Sequence, residues 1–535
     1  MVSERFIANH SRATLARAKE LAGAGELEKA ASAARAYLDR NPRDSHAWRF
    51  LANVHQSSQR FEEAISCAEQ AALVAPDRPE LLLEYGLHLV ASGRRRDALA
   101  VAERLASVNL PTAGLNTARG TLLTYCDEPQ RALVSFEAAL KQSPDSCECL
   151  FNRASAQRMI GDLLGAEETL ERVICLSPCH GAAHLMRSGL RVQTETTNNI
   201  SELQAALRQQ GGKVENSIAL HFAVAKELED LSRFDEAFSA LEVGCRLQRK
   251  RMQYDVSQDI AVIDRIIQVH TQTVVGGAAG FPTEEPIFVV GLPRSGTTLI
   301  AQILAGHSSV HSIGETPALA AETISAVRRR VGRHVGKMDF VAQVLEVKPD
   351  ILGKSYLEAT RPQTGHTPRF VDKTPINYLY AGVIGRSLPG AKIVAVARDP
   401  MDVCFSMFKT LFTGAYPFSY DLRELGEYYA AWHRLIRHWQ DVLGNRLLIV
   451  QYEDLIRDQT TVTRRLVKHC GLDWEDACLK FSEQGNAVMT ASAAQIRRDL
   501  YSSSVGKSRH YGRRLDFLRS TLEEYQLLGS RLASG

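Results

Sequence analysis

The sequence predicts two folds in one chain: an N-terminal all-α solenoid of helical pairs, then a P-loop-like α/β domain on a parallel central sheet. Two observations carry this reading. Ala30, Ala64, Ala98, Ala132 and Ala166 recur every 34 residues without a slip, the mark of a stacked helical repeat. From Pro286 onward the pattern changes to short apolar runs, PIFVV, RFVD, AKIVAVA and RLLIVQYEDL, set between amphipathic helical stretches. Such runs read as buried parallel strands joined by crossover helices, with ligands bound at the carboxyl ends of the strands.

The repeat has a second register. Ala52, Gly86, Gly120 and Ala154 keep the 34-residue step, each 12 residues before the next alanine of the first series, and Pro42, Pro76, Pro111, Pro144 and Pro178 follow. Small residues let two helices cross closely, and proline ends the second helix of each pair. Segments such as LANVHQSSQRFEEAISCAEQAALVAPD resemble tetratricopeptide repeats, over about residues 11 to 180. The pattern lapses in the polar stretch after Leu185, then Ala225 and Ala237 predict one more helical pair ending near Lys250. Solenoids of this kind present a concave groove to peptides or proteins, so the groove is expected to present a protein or peptide substrate. A purely stabilising or homodimerising role stays open. Cys147, Cys149, Cys175 and Cys179 fall inside the array and are expected to be buried packing residues rather than metal ligands. Gly276, Gly277, Gly280 and Pro282 break the helical pattern, giving a solenoid over 1–270, a linker over 271–285 and an α/β domain over 286–535.

Composition bounds the function. With 64 Lys+Arg against 61 Asp+Glu in 535 residues, the net charge is only +3. No global attraction to nucleic acid or anionic lipid is implied, and any polyanion must be held locally. No apolar run reaches the length of a membrane span, and the first residues lack the basic-then-apolar order of a secretory signal. The expectation is a soluble cytoplasmic protein whose 10 cysteines are reduced.

The first α/β strand runs into Gly291-Leu-Pro-Arg-Ser-Gly-Thr-Thr298 and then into the helical LIAQILAGH. Gly291 and Gly296 have the spacing of a P-loop, in which backbone N–H groups and a helix N-terminus cradle a phosphate. Thr297 stands where a P-loop has its lysine, and Arg294 supplies a cation from inside the loop. A second anion site is predicted where AKIVAVA delivers Arg398. Asp399 suits a helix cap and Pro400 the first turn, and Ser406 lies about two turns along, so Arg398 and Ser406 can converge on one phosphate.

The run PIFVVGLPRSGTTLIAQIL resembles the 5′-phosphosulfate loop of sulfotransferases that use 3′-phosphoadenosine-5′-phosphosulfate (PAPS). The chain is similar in particular to tyrosylprotein sulfotransferases and their repeat-bearing bacterial relatives, over about residues 286 to 512. The resemblance implies that Arg294, Ser295, Gly296, Thr297 and Thr298 hold the 5′-phosphosulfate, and that Arg398 and Ser406 hold the 3′-phosphate. It further implies that Tyr452, Ser492 and Lys507 contact the nucleotide, with Lys507 in a C-terminal lid. By the same resemblance Glu315, in HSIGETP, is the general base and Lys373, in RFVDKTP, neutralises the bridging oxygen, with Arg294 and Ser492 also counted as catalytic. PAPS is then the co-substrate and 3′-phosphoadenosine-5′-phosphate (PAP) the product, with no metal required. Read from residues alone, Glu315 can equally complement a helix starting at Thr316-Pro317, and His311 is a rival base.

The best acceptor reading is a protein or peptide tyrosine, with carbohydrate, lipid or small-metabolite hydroxyls as alternatives. Arg328, Arg329, Arg330, Arg333 and Lys337 form a basic stretch after Glu315 that can attract acidic acceptors or serve as a solvated helix face. Two other classes are a small-molecule P-loop kinase, which needs ATP and Mg²⁺, and a non-catalytic repeat scaffold.

Overall fold

The computed structural model describes residues 14–58, 60–108, 110–209, 213–332, 335–412, 414–480 and 505–532. It forms two compact units, Met1–Ile160 and Gly161–Gly535.

The first unit is a run of helical pairs: Ser45–Ser57 with Phe61–Val74, Pro79–Ala91 with Arg95–Arg104, and Ala113–Tyr125 with Pro129–Gln142. Local chemistry starts several of these helices. Asp44 accepts from the N–H groups of His46 and Ala47 at 3.0 and 3.1 Å, Thr112 caps Leu115, and Pro79 and Pro129 occupy first-turn positions where no N–H is needed. Ala30, Ala64, Ala98 and Ala132 are fully buried. The second register is where helices meet most tightly. A Cβ on Gly86 would lie 2.6 Å from Leu122 Cδ2, and one on Gly120 would lie 2.7 Å from Phe136 Cδ1. The expectation of buried packing cysteines holds for Cys149 only, since Cys147 and Cys179 are half-buried and Cys175 is exposed. The cause lies in the helix faces: Cys149 points at the Phe136 carbonyl in the repeat core, whereas Cys175 lies on the outer side of its helix.

The second unit begins with further helices, including Val214–Asp230, Phe234–Lys250 and Val256–Val269. It continues into a sheet of five parallel strands: β1 Pro286–Gly291, β2 Val310–Gly314, β3 Arg369–Asp372, β4 Lys392–Ala397 and β5 Leu447–Gln451, in the order β2-β3-β1-β4-β5. Four of these match the apolar runs. β2 had no such signal, because in this edge strand only Val310 and Ile313 are buried. Both faces of the central strands are covered, which is why they read as unbroken apolar runs. Ile287 and Val289 pack with the Thr297–Ala305 and Gln459–His469 helices. Phe288 and Val290 share a core with Trp432 and Trp439 of the long Leu422–Leu443 helix, and with Ala223 and Phe238 of the last helical pair. That pair therefore belongs to the repeat by sequence pattern and to the sheet unit by packing. The glycine-rich segment 271–285 is likewise packed: Phe281 N–H donates to the Ser387 carbonyl at 2.9 Å, and a Cβ on Gly280 would collide with the Arg386 carbonyl.

From β1 the chain crosses towards β2, and from β4 it crosses towards β5, on the opposite side. A crevice therefore opens between the carboxyl ends of β1 and β4, where such sheets bind ligands. No described helix is long and apolar enough to cross a membrane.

Gly120→Ala is expected to lower the stability of the first unit by about 1–2 kcal/mol, because overpacking against Phe136 outweighs the gain in helix propensity. Gly23→Ala, with nothing within 4 Å of the new methyl, should be neutral or stabilising. Thermal unfolding of the two variants checks this, and equal midpoints would refute the packing argument.

Candidate functional site

The loop after β1 is shaped by backbone conformations that few residues accept. Gly291 and Gly296 have φ of 155° and 108°, and Arg294 sits in the left-handed region at 67°. A Cβ on Gly291 would lie 2.7 Å from the Val396 carbonyl of β4, and one on Gly296 would lie 2.6 Å from the Tyr452 ring. Both glycines are therefore required by close approach as well as by φ. Gly296 caps the Thr297–Ala305 helix without a side-chain bond, leaving the first-turn N–H groups of Thr297 and Thr298 directed at the loop. Ser295 is buried, and its Oγ has no hydrogen-bond partner among the described residues. A buried unpaired hydroxyl beside uncapped amides and the Arg294 backbone is a fit for an anionic group such as a phosphosulfate.

The second predicted anion site meets this loop directly. Arg398, at the end of β4, donates from Nη1 to the Arg294 carbonyl at 3.0 Å, and its guanidinium lies 4.9 Å from the centre of the Tyr452 ring. Asp399 caps the next helix by accepting from Asp402 N–H at 3.0 Å, and Pro400 takes its first turn. Ser406, half-buried, lies on this Pro400–Phe408 helix. Tyr452 opens a helix directly after β5. The ends of β1, β4 and β5 thus meet through Gly296, Arg398 and Tyr452. Beside Arg398 lies a cavity of about 560 Å³ whose lining includes Asp399, Tyr429, Arg457, Arg509 and Arg531.

Glu315 and Lys373 occupy the carboxyl ends of β2 and β3. The Lys373 ammonium donates to Glu315 Oε1; the lysine is buried and the carboxylate half-exposed. His311 stands four residues earlier near the amino end of β2, roughly 13 Å from Glu315 at strand spacing. Below the pair, Asp372 is fully buried and accepts from Tyr356 Oη at 2.9 Å and Thr374 Oγ1 at 2.6 Å. Thr374 Oγ1 also receives Thr316 N–H at 3.0 Å, fixing the backbone on either side of Glu315 and Lys373.

Lys507 is half-exposed and lies in the C-terminal segment brought to the site by Asp402, whose carboxylate receives the N–H of Ser508 at 3.0 Å and its Oγ at 2.8 Å. Ser492 lies outside the described residues. The charges of the basic stretch are largely engaged: Arg329 with Glu322, Arg330 with Glu346 and Gln343, and Lys337 with Asp259, while Arg333 is outside the described residues. These pairings favour the solvated helix face.

Sequence reasoning missed Asp372, Asp402 and Tyr416. Tyr416 has φ of 54°, and burial first, then the Glu315 charge, pushes its hydroxyl up to about 12. Only the strand-end position of Asp372 and the helix-start position of Asp402 gave any signal, and neither distinguishes a site residue from an ordinary acid.

A P-loop-like turn and a second cation thus lie at the switch point of a parallel sheet, flanked by an acid–lysine pair, where α/β sheets carry their ligand sites. Residues 286–476 match the sulfotransferase family, and residues 15–79 and 51–114 match the tetratricopeptide repeat. Over these stretches the chain matches a sulfotransferase-family domain preceded by tetratricopeptide repeats. It is 30% identical over 375 residues to an uncharacterized protein of Aquifex aeolicus, covering 68% of this chain and 49% of that one. It is 26% identical over 221 residues to a protein-tyrosine sulfotransferase of Drosophila melanogaster, covering 40% and 43%. The chain thus spans about half the length of these relatives. Among solved structures, the sulfotransferase domain of the Synechococcus olefin synthase is 19% identical, with a TM-score of 0.35, covering 48% of this chain and 97% of that one.

Burial raises the Asp372 carboxyl to about 7, although Thr374, Tyr356 and Lys373 act in the opposite direction. The folded protein then keeps a proton that the unfolded chain releases near 3.8. Stability attributable to this group should fall as pH rises from 3.8 to about 7. Urea unfolding of the protein and of Asp372→Asn across this window checks it, and a stability difference that does not change with pH would refute it.

Proposed function

We propose that this protein is a PAPS-dependent sulfotransferase that sulfates an acceptor hydroxyl, with a protein or peptide tyrosine as the acceptor. One observation carries the reading: the Glu315–Lys373 pair ends two adjacent strands of the same sheet whose β1 and β4 ends carry the phosphate loop and Arg398.

Bound PAPS supplies the activated sulfuryl group. Arg294, Ser295, Gly296, Thr297 and Thr298 hold the 5′ end, while Arg398 and Ser406 hold the 3′-phosphate, with Tyr452 and Lys507 as further nucleotide contacts. Glu315, half-exposed at its strand end, accepts the proton of the acceptor hydroxyl. The Lys373 ammonium exchanges Glu315 for the oxygen on which negative charge develops as the sulfur–oxygen bond to phosphate breaks. Thr374 and Asp372 keep the two strand ends in register. Support for a tyrosine acceptor comes from the protein-tyrosine sulfotransferases among the relatives. Thr297 in place of the P-loop lysine disfavours a triphosphate and hence the kinase reading. The repeats are assigned to holding a protein partner.

Titration calorimetry should show PAP binding at least about tenfold tighter than ADP, insensitive to chelator, since the second phosphate distinguishes the ligands. Tighter binding of Mg²⁺–ADP would overturn the assignment in favour of a kinase. In transfer assays with labelled PAPS, Glu315→Ala and Lys373→Ala should each lose about 10²–10⁴-fold in kcat with PAP affinity little changed. Near-wild-type turnover by both would remove this mechanism.

A further inference from the structure

Glu229 is the penultimate residue of the Val214–Asp230 helix, in the last helical pair before the sheet, and its carboxylate gathers side chains from the end of the Pro400–Phe408 helix and from the C-terminal segment. Lys409, immediately after the Pro400–Phe408 helix, donates to both its oxygens at 2.8 and 2.7 Å. Tyr511 Oη donates to it at 2.5 Å, and the Lys507 ammonium lies 3.6 Å away. The same helical pair grips the segment that carries Lys507. Phe234 stacks on His510 with ring centres 4.8 Å apart and meets Tyr511 edge-on at 5.4 Å, while Arg514 pairs with Asp235 at 2.9 Å.

The charges around Glu229 do not cancel. Burial lowers the Lys409 ammonium's affinity for its proton, Glu229 opposes this, and Lys507 and Arg294 act as like charges near enough to lower it further. Burial likewise works against the Glu229 carboxylate and is outweighed by Lys409, Tyr511 and Lys507, which hold it below the usual range. Lys409 and Lys507 thus share one carboxylate, and Lys409 also feels the charge of Arg294. A buried ion pair contributes little net stability compared with apolar packing. Two ammonium groups gathered on one carboxylate leave positive charge to offer an anionic phosphate group.

We propose that Glu229 is a positioning residue of the nucleotide site: it fixes Lys409 and Lys507 beside the phosphate loop, so that the last helical pair of the repeat array is a working part of that site and Lys409 is an additional phosphate-facing cation. This rests on the nucleotide reading above.

The test is calorimetric titration of the full-length protein with PAP, at fixed ionic strength, alongside PAPS kinetics. Glu229→Gln should weaken PAP binding by about tenfold and raise KM for PAPS by a similar factor, with kcat changed less than about threefold. Lys507→Gln should weaken binding too. The double variant should lose clearly less than the product of the two single losses, because the carboxylate then has one cation fewer to position. Tyr511→Phe, which frees Glu229 of one hydrogen bond without removing a charge, should shift PAP affinity in the same direction by about threefold and covers the case in which Glu229→Gln does not fold. PAP affinity unchanged in every folded variant of Glu229 and Tyr511, or single losses that simply multiply in the double variant, would overturn the role of Glu229 alone. Failure of the wild-type protein to bind PAP would overturn the nucleotide reading itself and this inference with it.

Discussion

The site depends on one interaction, the placement of Arg398 between two neighbours it could not reach from anywhere else. Its guanidinium donates to the carbonyl of Arg294 and lies over the ring of Tyr452, and that ring in turn fills the space above Gly296. Three strand ends are thereby joined by a hydrogen bond, a cation–π contact and a ring packed on a glycine. The left-handed backbone at Arg294 is a conformation an isolated loop would not keep, and the bond from Arg398 to its carbonyl is one of the contacts that hold it. In the proposed nucleotide site such a cation is preorganised, because bracing the loop leaves little to be ordered when an anion binds.

The two halves of the proposed chemistry sit on opposite flanks of β1. Nucleotide groups come from the β1, β4 and β5 ends, whereas the acid–lysine pair comes from β2 and β3. In the pair, burial is unequal. Lys373 is enclosed, while Glu315 faces solvent on one side, which suits a lysine that serves an interior leaving oxygen and an acid that meets an acceptor from outside. Asp372 underlies both without touching solvent, and its hydrogen bonds to Tyr356 and Thr374 anchor the β3 end to its neighbouring helix and loop.

Much of this was legible in the sequence wherever the constraint is local or periodic. The 34-residue step is visible because Ala30, Ala64, Ala98 and Ala132 are fully buried and because Gly86 and Gly120 face side chains that leave no room for a methyl group. Gly291 and Gly296 mark the loop because its φ values exclude other residues, and Asp399-Pro400 announces a helix start through capping chemistry. What was not legible depends on tertiary placement. β2, Val310-His-Ser-Ile-Gly, buries only Val310 and Ile313 and so shows no apolar run. Asp402 and Glu229 look like ordinary helical acids, and only folding brings them to residues more than a hundred positions away. The sequence left the basic stretch open between an acceptor-attracting and a solvated face, because its partners Glu346 and Asp259 come from separate elements.

The packing of the last helical pair bears on how such a protein can be inherited. The core on one face of the sheet runs from Ile200 to Leu532 without a break at the glycine-rich segment, although the sequence changes character there. Recombination at residues 271–285 would part Ala223 and Phe238 from the core they share with Phe288, and Arg249 from its two-point bond to Glu424. Exchange on the N-terminal side of Gly161 leaves that core whole. The unit that must stay together is therefore longer than the α/β segment, since the core it depends on begins at Ile200.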